Sequence, residues 1–236
     1  MTSAMLKIHN TILFARRRGV RCFIHELNYR LTNYYHELRL GVDTVGTVES
    51  VKLGLVNTEL HSYVPMGYKS IYSALQRIPL DKSQCTFLDY GSGKGRAIIV
   101  AATLPYRRVI GIEISDQLFG IAKTNIDKMR LKRAKCIDLY NMDATQYTVS
   151  EDVNIVYLFN PFRGQVLQRV VSNIRDSYKR SPRKIYIVFF KNEHFENAIN
   201  NSDWITRLWQ THFYPDCSCG IYVTRGPHDL YEGVPS

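Results

Sequence analysis

Short runs rich in Val, Ile and Tyr alternate with helical patterns from Tyr68 onward, and this alternation constrains the fold more than any other feature of the chain. Such alternation is typical of a parallel sheet covered by helices on both faces. Only a turn at 214–219 separates the last two runs, which predicts an antiparallel hairpin at the sheet edge. The seven predicted strands are 85–90, 108–114, 135–140, 153–159, 184–190, 205–213 and 220–224. Helices are expected at 68–79, after Lys94, and at 116–129, 164–179 and 193–200.

The first 54 residues follow a different pattern. Apolar residues between positions 3 and 38 recur with helical spacing and are interrupted near Gly19, which predicts two helices. Three glycines between Gly41 and Gly54 indicate a connector. We therefore expect a basic helical N-terminal extension with its connector at residues 1–54, followed by an α/β main domain at residues 55–236.

Positive charge is concentrated at the N-terminus. Residues 1–40 contain seven Lys or Arg against Glu26 and Glu37, which accounts for +5 of the formal net charge of +10. This excess is consistent with contact to an anionic surface, either a membrane or a nucleic acid. It is equally consistent with a solvated helix face, so both interpretations stay open.

Several features bear on location and on metal binding. No apolar run approaches the roughly 18–20 residues that a membrane span needs, the N-terminus lacks a secretory pattern, and its few Ser residues disfavour a mitochondrial presequence. The five cysteines are odd in number and scattered, which is typical of reduced thiols in a cytosolic protein. Cys217 and Cys219 lack the two-residue gap of zinc-binding pairs, so no metal site is predicted. We expect a soluble cytoplasmic protein, with a membrane-peripheral location left open by the basic N-terminus.

The stretch DYGSGKGR, residues 89–96, places three alternate glycines directly after a predicted strand. A phosphate loop of the GxxxxGK[ST] kind is excluded because Leu88 stands at its first glycine and Gly95 at its final Ser or Thr. The dinucleotide fingerprint is also disfavoured, because its third glycine would come one residue later. Asp89 lies inside the end of the strand, where its carboxylate would repel a pyrophosphate and attract a cation.

S-adenosylmethionine is a ligand with such a cation, since it carries an ammonium and a sulfonium where a dinucleotide carries its pyrophosphate. Glu113 ends the second strand 24 residues after Asp89, in a position to accept hydrogen bonds from the ribose hydroxyls. Asp143, followed by Ala144, lies just past the third strand, where an acid can accept from the adenine amino group. Asp138 and Asp152 are close in sequence, so a slip in the strand assignment would change this last candidate.

Four motifs in order, FLDYGSGKGR, VIGIEIS, NMDATQY and YLFNPF, resemble those of class I S-adenosylmethionine-dependent methyltransferases. The resemblance covers about Tyr63 to Thr224 and is strongest to a bacterial branch with DYGSGKGR and FNPF. It is more distant to Dot1-like and ATP-synthase-subunit lysine methyltransferases. It implies a Rossmann-like seven-stranded sheet and S-adenosylmethionine as cofactor. The cofactor-binding residues that it implies are Tyr63, Asp89, Gly91, Ser92, Gly93, Gly95, Glu113, Ile114, Asp143, Ala144 and Asn160.

The acceptor side is expected at Asn160, Pro161 and Phe162, after the fourth strand, where open α/β sheets bind ligands. Amino-directed methyltransferases commonly carry a second Pro here, and its absence leaves an amino acceptor unproven. A protein lysine, a small molecule, a glycan and a nucleic acid all remain as acceptors. A nicotinamide-dependent oxidoreductase and a non-catalytic docking module are the alternative functions. Lys94 and Arg96 could bind the cofactor carboxylate or an acceptor anion, but we expect them to be solvated. His194 is a candidate acceptor-side base, but we expect it to begin a helix without chemistry.

Overall fold

The computed structural model describes residues 3–49, 59, 61–191, 193–199, 202–213 and 217–225, without the side chains of residues 3–21 and 193. The domain boundary predicted between residues 54 and 55 lies outside the described residues. The same is true of the basic side chains before Cys22, so both interpretations of the N-terminal charge stay predictions.

A single seven-stranded sheet forms the centre of the molecule, in the order β3-β2-β1-β4-β5-β7-β6. Strands β1 to β5 are parallel, and β7 pairs antiparallel with both β5 and β6. The predicted Rossmann-like sheet with an antiparallel C-terminal hairpin is therefore confirmed. The strands are β1 Thr86–Tyr90, β2 Arg108–Glu113, β3 Ile137–Asn141, β4 Val153–Phe159, β5 Tyr186–Phe190, β6 Ile205–Phe213 and β7 Cys217–Thr224.

Six α-helices are described, and the first of them is the N-terminal extension. They are α1 Ser3–Leu40, α2 Tyr68–Gln76, α3 Arg96–Ala102, α4 Asp116–Lys128, α5 Gly164–Arg180 and α6 Glu193–Ala198. Short 3-10 turns lie at Lys82–Gln84 and Ala144–Gln146. Among the described residues, none of the helices combines the length and the apolar character that crossing a membrane requires.

Two sequence-based expectations about these elements are wrong. The helix α1 continues through Gly19, where we expected a break. A glycine costs a helix about 1 kcal/mol relative to alanine, but it keeps both its N–H and its C=O, so the backbone hydrogen bonds can continue. The last strand, β7, begins at Cys217 and not at Gly220, so residues 217–219 do not belong to the expected turn. Residues 214–216 lie outside the described part.

The core fills both faces of the sheet, as expected for a parallel sheet between two helical layers. Phe87, Val109 and Ile155 point to one face, where they pack with α2 and α3. Leu88, Ile110 and Val156 alternate with them and point to the other face, against α5. Every residue of β1 is buried. Because β1 lies between β2 and β4, its carboxyl end faces the point where the order of the strands reverses, which is where open α/β sheets bind ligands.

The end of α1 and the connector pack onto this domain. Leu40 is buried in the core. Val48 and Tyr63 form an isolated antiparallel bridge with N···O distances of 3.0 and 2.8 Å. The described part of the connector therefore packs against Tyr63, in the segment that precedes α2.

Candidate active site

A cavity of about 290 Å³ opens where β1, β2, β4 and β5 end. Its wall comes from the segment before α2, from the glycine loop after β1, and from the residues that follow β2, β3, β4 and β5. All the residues proposed from the sequence as cofactor-binding or acceptor-side line it, except Gly95. They are Tyr63, Asp89, Gly91, Ser92, Gly93, Glu113, Ile114, Asp143, Ala144, Asn160, Pro161 and Phe162.

Two glycines of the loop are required by close contacts as well as by backbone conformation. Gly91 has φ +70°, and a Cβ on it would lie 2.5 Å from Cβ of Pro161. Gly93 has φ +56°, and a Cβ on it would lie 2.3 Å from the ring of Tyr63. A side chain at either position would be strained and would clash. The loop thus holds Tyr63 and Pro161 close against its backbone, on the two sides of the cavity mouth.

Gly95 has a different role from its two neighbours. It has φ +88° and forms the N-cap of α3, so glycine suits its left-handed backbone. A Cβ there would lie 3.3 Å from Cβ of Ala122 in α4, away from the cavity. The structure therefore places Gly95 in the packing of α3 on α4 and not in the cavity wall.

Two carboxylates lie buried at the bottom of the cavity. Asp89 is 3% exposed, and burial raises its pKa well above the usual range, with a smaller contribution in the same direction from Glu113. Burial also raises the pKa of Glu113, although backbone N–H groups oppose the shift. Oε2 of Glu113 accepts from the Gly93 N–H at 2.7 Å, and Oε1 accepts from the Ser115 N–H at 2.9 Å. Burial therefore makes ionisation of both acids costly, and a cationic, hydrogen-bond-donating ligand would stabilise their ionised forms.

The third predicted acid lies at the far end of the cavity. Oδ1 of Asp143 caps the short turn at 144–146 by accepting from the Thr145 N–H at 2.8 Å. The two competing acids lie elsewhere, since Asp138 pairs with Arg108 and Asp152 pairs with Arg107. Neither of them lines the cavity, so Asp143 is the acid that the fold brings to this end.

Asn160, Pro161 and Phe162 form the opposite wall. Asn160 has φ +42°, an uncommon conformation for a residue other than glycine, which marks a constrained position. Its Oδ1 atom is buried and has no hydrogen-bond partner among the described residues. Phe162 is buried and meets the ring of Tyr90 edge to face, with the centroids 6.5 Å apart. The aromatic packing thus fixes a wall that presents one unpaired acceptor oxygen.

Sequence reasoning missed a buried network behind the glycine loop. Arg96 is 4% exposed, so our expectation that it is solvated is wrong. Its guanidinium donates to Glu37 at 3.0 Å, to Thr44 Oγ1 at 2.6 Å and to the Met66 carbonyl at 3.0 Å. Tyr68 also donates to Glu37 at 3.0 Å. Because these partners are 28 to 59 residues away from Arg96, no local pattern in the sequence indicates the network.

Lys94 also contacts the connector. Its Nζ donates to the Val45 carbonyl at 2.6 Å and lies 5.5 Å from the centroid of the Tyr63 ring. The hydroxyl of Tyr63 donates to the Thr44 carbonyl at 2.7 Å. Lys94 does not line the cavity. Its contacts instead hold the connector and Tyr63 over the loop.

Comparison with known proteins assigns the domain. Residues 81–187 match the model of a methyltransferase domain family. This segment is a class I methyltransferase domain, and the cofactor of the class is S-adenosylmethionine. A comparison with curated proteins gives no match.

Solved structures resemble the methyltransferase domain in fold. An RNA methyltransferase from Salinibacter ruber, in complex with S-adenosyl-L-homocysteine, is 18% identical with a TM-score of 0.54, covering 73% of this chain and 97% of its own. A ribosomal protein L11 methylase from Lactobacillus delbrueckii subsp. bulgaricus is 14% identical with a TM-score of 0.52, covering 66% and 76%. Precorrin-6y C5,15-methyltransferase from Geobacter metallireducens is 13% identical with a TM-score of 0.52, covering 69% and 90%. At these identities the likeness is one of fold, and it leaves the acceptor open.

Proposed function

We propose that this protein transfers a methyl group from S-adenosylmethionine to an amino nitrogen, and that the cavity at the carboxyl end of the sheet holds both reactants. The observation that carries the proposal is the convergence on one cavity of two buried carboxylates, Asp89 and Glu113, with the unpaired oxygen of Asn160. The first two match a cationic cofactor, and the third matches an acceptor with an N–H group.

The three acids are placed to accept hydrogen bonds from successive parts of the cofactor along the cavity. Asp89 would pair with the ammonium of the methionine portion, next to the close backbone approach at Gly91 and Gly93. Each oxygen of Glu113 keeps a second lone pair for a ribose hydroxyl. Asp143 would accept from the adenine amino group. When bound, S-adenosylmethionine supplies a methyl carbon activated by the adjacent sulfonium.

The acceptor wall supports a nitrogen nucleophile. A buried amide oxygen without a partner is costly, and an N–H donor would satisfy the Oδ1 atom of Asn160. An acceptor that reacts at a carbon atom would leave this oxygen unpaired. Pro161 and Phe162 would exclude water from the same wall, which strengthens the hydrogen bond. Asn160 would thereby orient the nitrogen, and correct orientation is a large part of what an enzyme contributes to such a displacement.

An exocyclic amino group of a nucleic acid is the second candidate for the acceptor nitrogen, after an amine of a protein or small molecule. It is favoured by the formal net charge of +10. The fold likeness to an RNA methyltransferase is consistent with it. With either acceptor, Oδ1 of Asn160 would accept a hydrogen bond from the nitrogen that is methylated.

Labelled methyl transfer tests the proposal. The protein is incubated with [methyl-³H]S-adenosylmethionine and a lysate of the source cells, which is then separated into protein, nucleic acid and small molecules. We expect label in one fraction and a rate at least about tenfold lower for Asn160→Ala, the effect of losing one hydrogen bond to the reacting group. Asn28→Ala, at an exposed position of α1, serves as the control and should match wild type. Label in no fraction, or equal rates for both variants, would contradict the proposal.

A further inference from the structure

His61 lies in the same cavity wall as Asn160, and the sequence analysis did not single it out. Its backbone N–H donates to the Pro161 carbonyl at 3.1 Å, which joins the segment before α2 to the acceptor wall. Its Nε2 atom is buried and has no hydrogen-bond partner among the residues that the structure describes. The acceptor end of the cavity therefore holds two unpaired polar atoms, Oδ1 of Asn160 and Nε2 of His61.

Glu59 fixes the position of His61 from outside the cavity. Its carboxylate accepts from the backbone N–H groups of Gln165 at 3.1 Å and Val166 at 3.0 Å, which caps the N-terminus of α5. Its carbonyl accepts from the Arg163 N–H at 2.9 Å. Two residues further along the chain, the backbone N–H of His61 donates to the Pro161 carbonyl. These contacts attach the histidine to the turn that carries Asn160, so the two side chains belong to one structural unit.

The surroundings keep the imidazole neutral. Burial lowers the pKa of His61 below its ordinary value, and positive charge on Arg163, His194 and Lys191 lowers it further. Glu59 is the acid on the same segment, and its carboxylate is engaged at the start of α5. In neutral imidazole one ring nitrogen carries a free lone pair. At neutral pH the group can therefore receive a proton, and the nearby cations favour its later release to solvent.

We propose that Nε2 of His61 takes the proton that the acceptor nitrogen loses during methyl transfer. This inference rests on the proposed function. The lone pair of the nitrogen forms the bond to the methyl carbon, the carbon–sulfur bond breaks, and its electron pair stays on sulfur. The nitrogen then has one proton too many. His61 receives it, while Asn160 holds the second N–H in place.

Sinefungin tests the proposal without a known acceptor, because it carries an amino-bearing carbon where S-adenosylmethionine carries its methylated sulfur. Its ammonium can donate to both unpaired atoms, whereas S-adenosylhomocysteine has no donor at that position. Calorimetry on the full chain should therefore give wild type a preference of about tenfold or more for sinefungin over S-adenosylhomocysteine near neutral pH. The preference should fall as the pH is lowered through the titration of His61, because imidazolium repels an ammonium.

Three variants distinguish a role of His61 as proton acceptor from a purely structural role. In His61→Phe the preference for sinefungin over S-adenosylhomocysteine should fall about tenfold and should no longer depend on pH. The affinity for S-adenosylhomocysteine should not change. His61→Gln keeps an acceptor atom that does not titrate, so it should retain the preference at every pH. His212→Phe is the matched control, because this histidine is exposed on β6 and does not line the cavity, and it should behave as wild type.

The outcomes are distinct. A pH-dependent preference that persists in both His61→Phe and His61→Gln would overturn the role of His61 while leaving the proposed function intact. Equal loss of affinity for both compounds in the two variants would also overturn it, since it would show a structural role only. Wild-type protein that binds neither compound would overturn the proposed function itself, and this proposal with it.

Discussion

Arg96 and Glu37 form a buried ion pair, with Nη2 and Oε1 3.0 Å apart, between the helix that follows the glycine loop and the last turn of α1. Their side chains are 5% and 8% exposed. Thr44 and Tyr68 also donate to Glu37, so this carboxylate is the centre of a network. The basic extension and the cavity are therefore mechanically joined at this point.

Removing Glu37 should destabilise the whole domain. Glu37→Ala leaves the Arg96 guanidinium buried without its charged partner, and breaking such a pair typically costs about 3–5 kcal/mol. Urea unfolding measures the loss. The double variant Glu37→Met with Arg96→Met should recover part of it, because no buried charge is left unpaired, whereas Thr44 and Tyr68 still lose their acceptor.

Arg30→Ala is the control for this experiment, since Arg30 lies on the same helix in an exposed pair with Glu26. Pairs at the surface contribute little, so the free energy of unfolding should change by less than about 1 kcal/mol. A loss for Glu37→Ala no larger than that for Arg30→Ala would mean that the buried pair has no stabilising role.

Gly93→Ala should impair both folding and cofactor binding. The new Cβ would lie 2.3 Å from the Tyr63 ring, at a residue whose positive φ costs an L-amino acid about 1–2 kcal/mol. Thermal unfolding and calorimetric titration of S-adenosylmethionine measure the two effects. Gly120→Ala in α4 is the matched control, since a Cβ there meets nothing within 4 Å. That variant should be more stable than wild type by about 0.5–1 kcal/mol, and a Gly93→Ala protein with the same gain would refute the role of the loop.

Asp89→Asn should stabilise the cofactor-free protein while weakening cofactor binding. The folded state raises the pKa of Asp89 above the ordinary 3.8, so it binds this proton more tightly than the unfolded state does. Stability contributed by the protonated group is therefore lost as the pH rises from the ordinary pKa to the raised one, at about 1.4 kcal/mol per pH unit. Asparagine does not ionise, so the Asp89→Asn protein does not lose this stability as the pH rises.

Urea unfolding between about pH 4 and pH 8 checks this sign. The gain of Asp89→Asn over wild type should grow with pH. Asp127→Asn, which removes an exposed carboxylate from α4, is the matched control for the substitution. An Asp89→Asn protein that becomes less stable than wild type as the pH rises would show that the buried carboxylate has a cationic partner in the folded protein.

The fold was predictable from sequence where local pattern decides the structure. β4 and β6 have the predicted bounds because continuous apolar or alternating runs specify a strand directly. The break expected at Gly19 was wrong because a helix tolerates one glycine when its hydrogen bonds continue. Likewise, Cys217 and Cys219 belong to β7, since pairing with β5 and β6 outweighs the turn-forming residues before them.

In the candidate site, too, local pattern predicted some residues, whereas distant contacts determine the positions of others. Asp89 and Glu113 lie at the carboxyl ends of β1 and β2, and Asn160 follows β4. The carboxyl ends of parallel strands meet at one edge, so the convergence of these residues follows from the order of elements. Arg96 and His61 owe their positions to partners far away in sequence, Glu37 and Pro161. A sequence shows neither contact, which is why Arg96 was expected in solvent and His194 was considered before His61.

Calorimetric titration of S-adenosylmethionine tests the central claim most directly. The account predicts one site on the wild-type protein and no measurable binding for Asp89→Ala or Glu113→Ala, with both variants still folded by circular dichroism. Both acids face the cavity and would accept hydrogen bonds from the cofactor, so their loss should remove cofactor binding and spare the fold. Wild-type affinity in both variants would contradict the assignment of this cavity as the cofactor site.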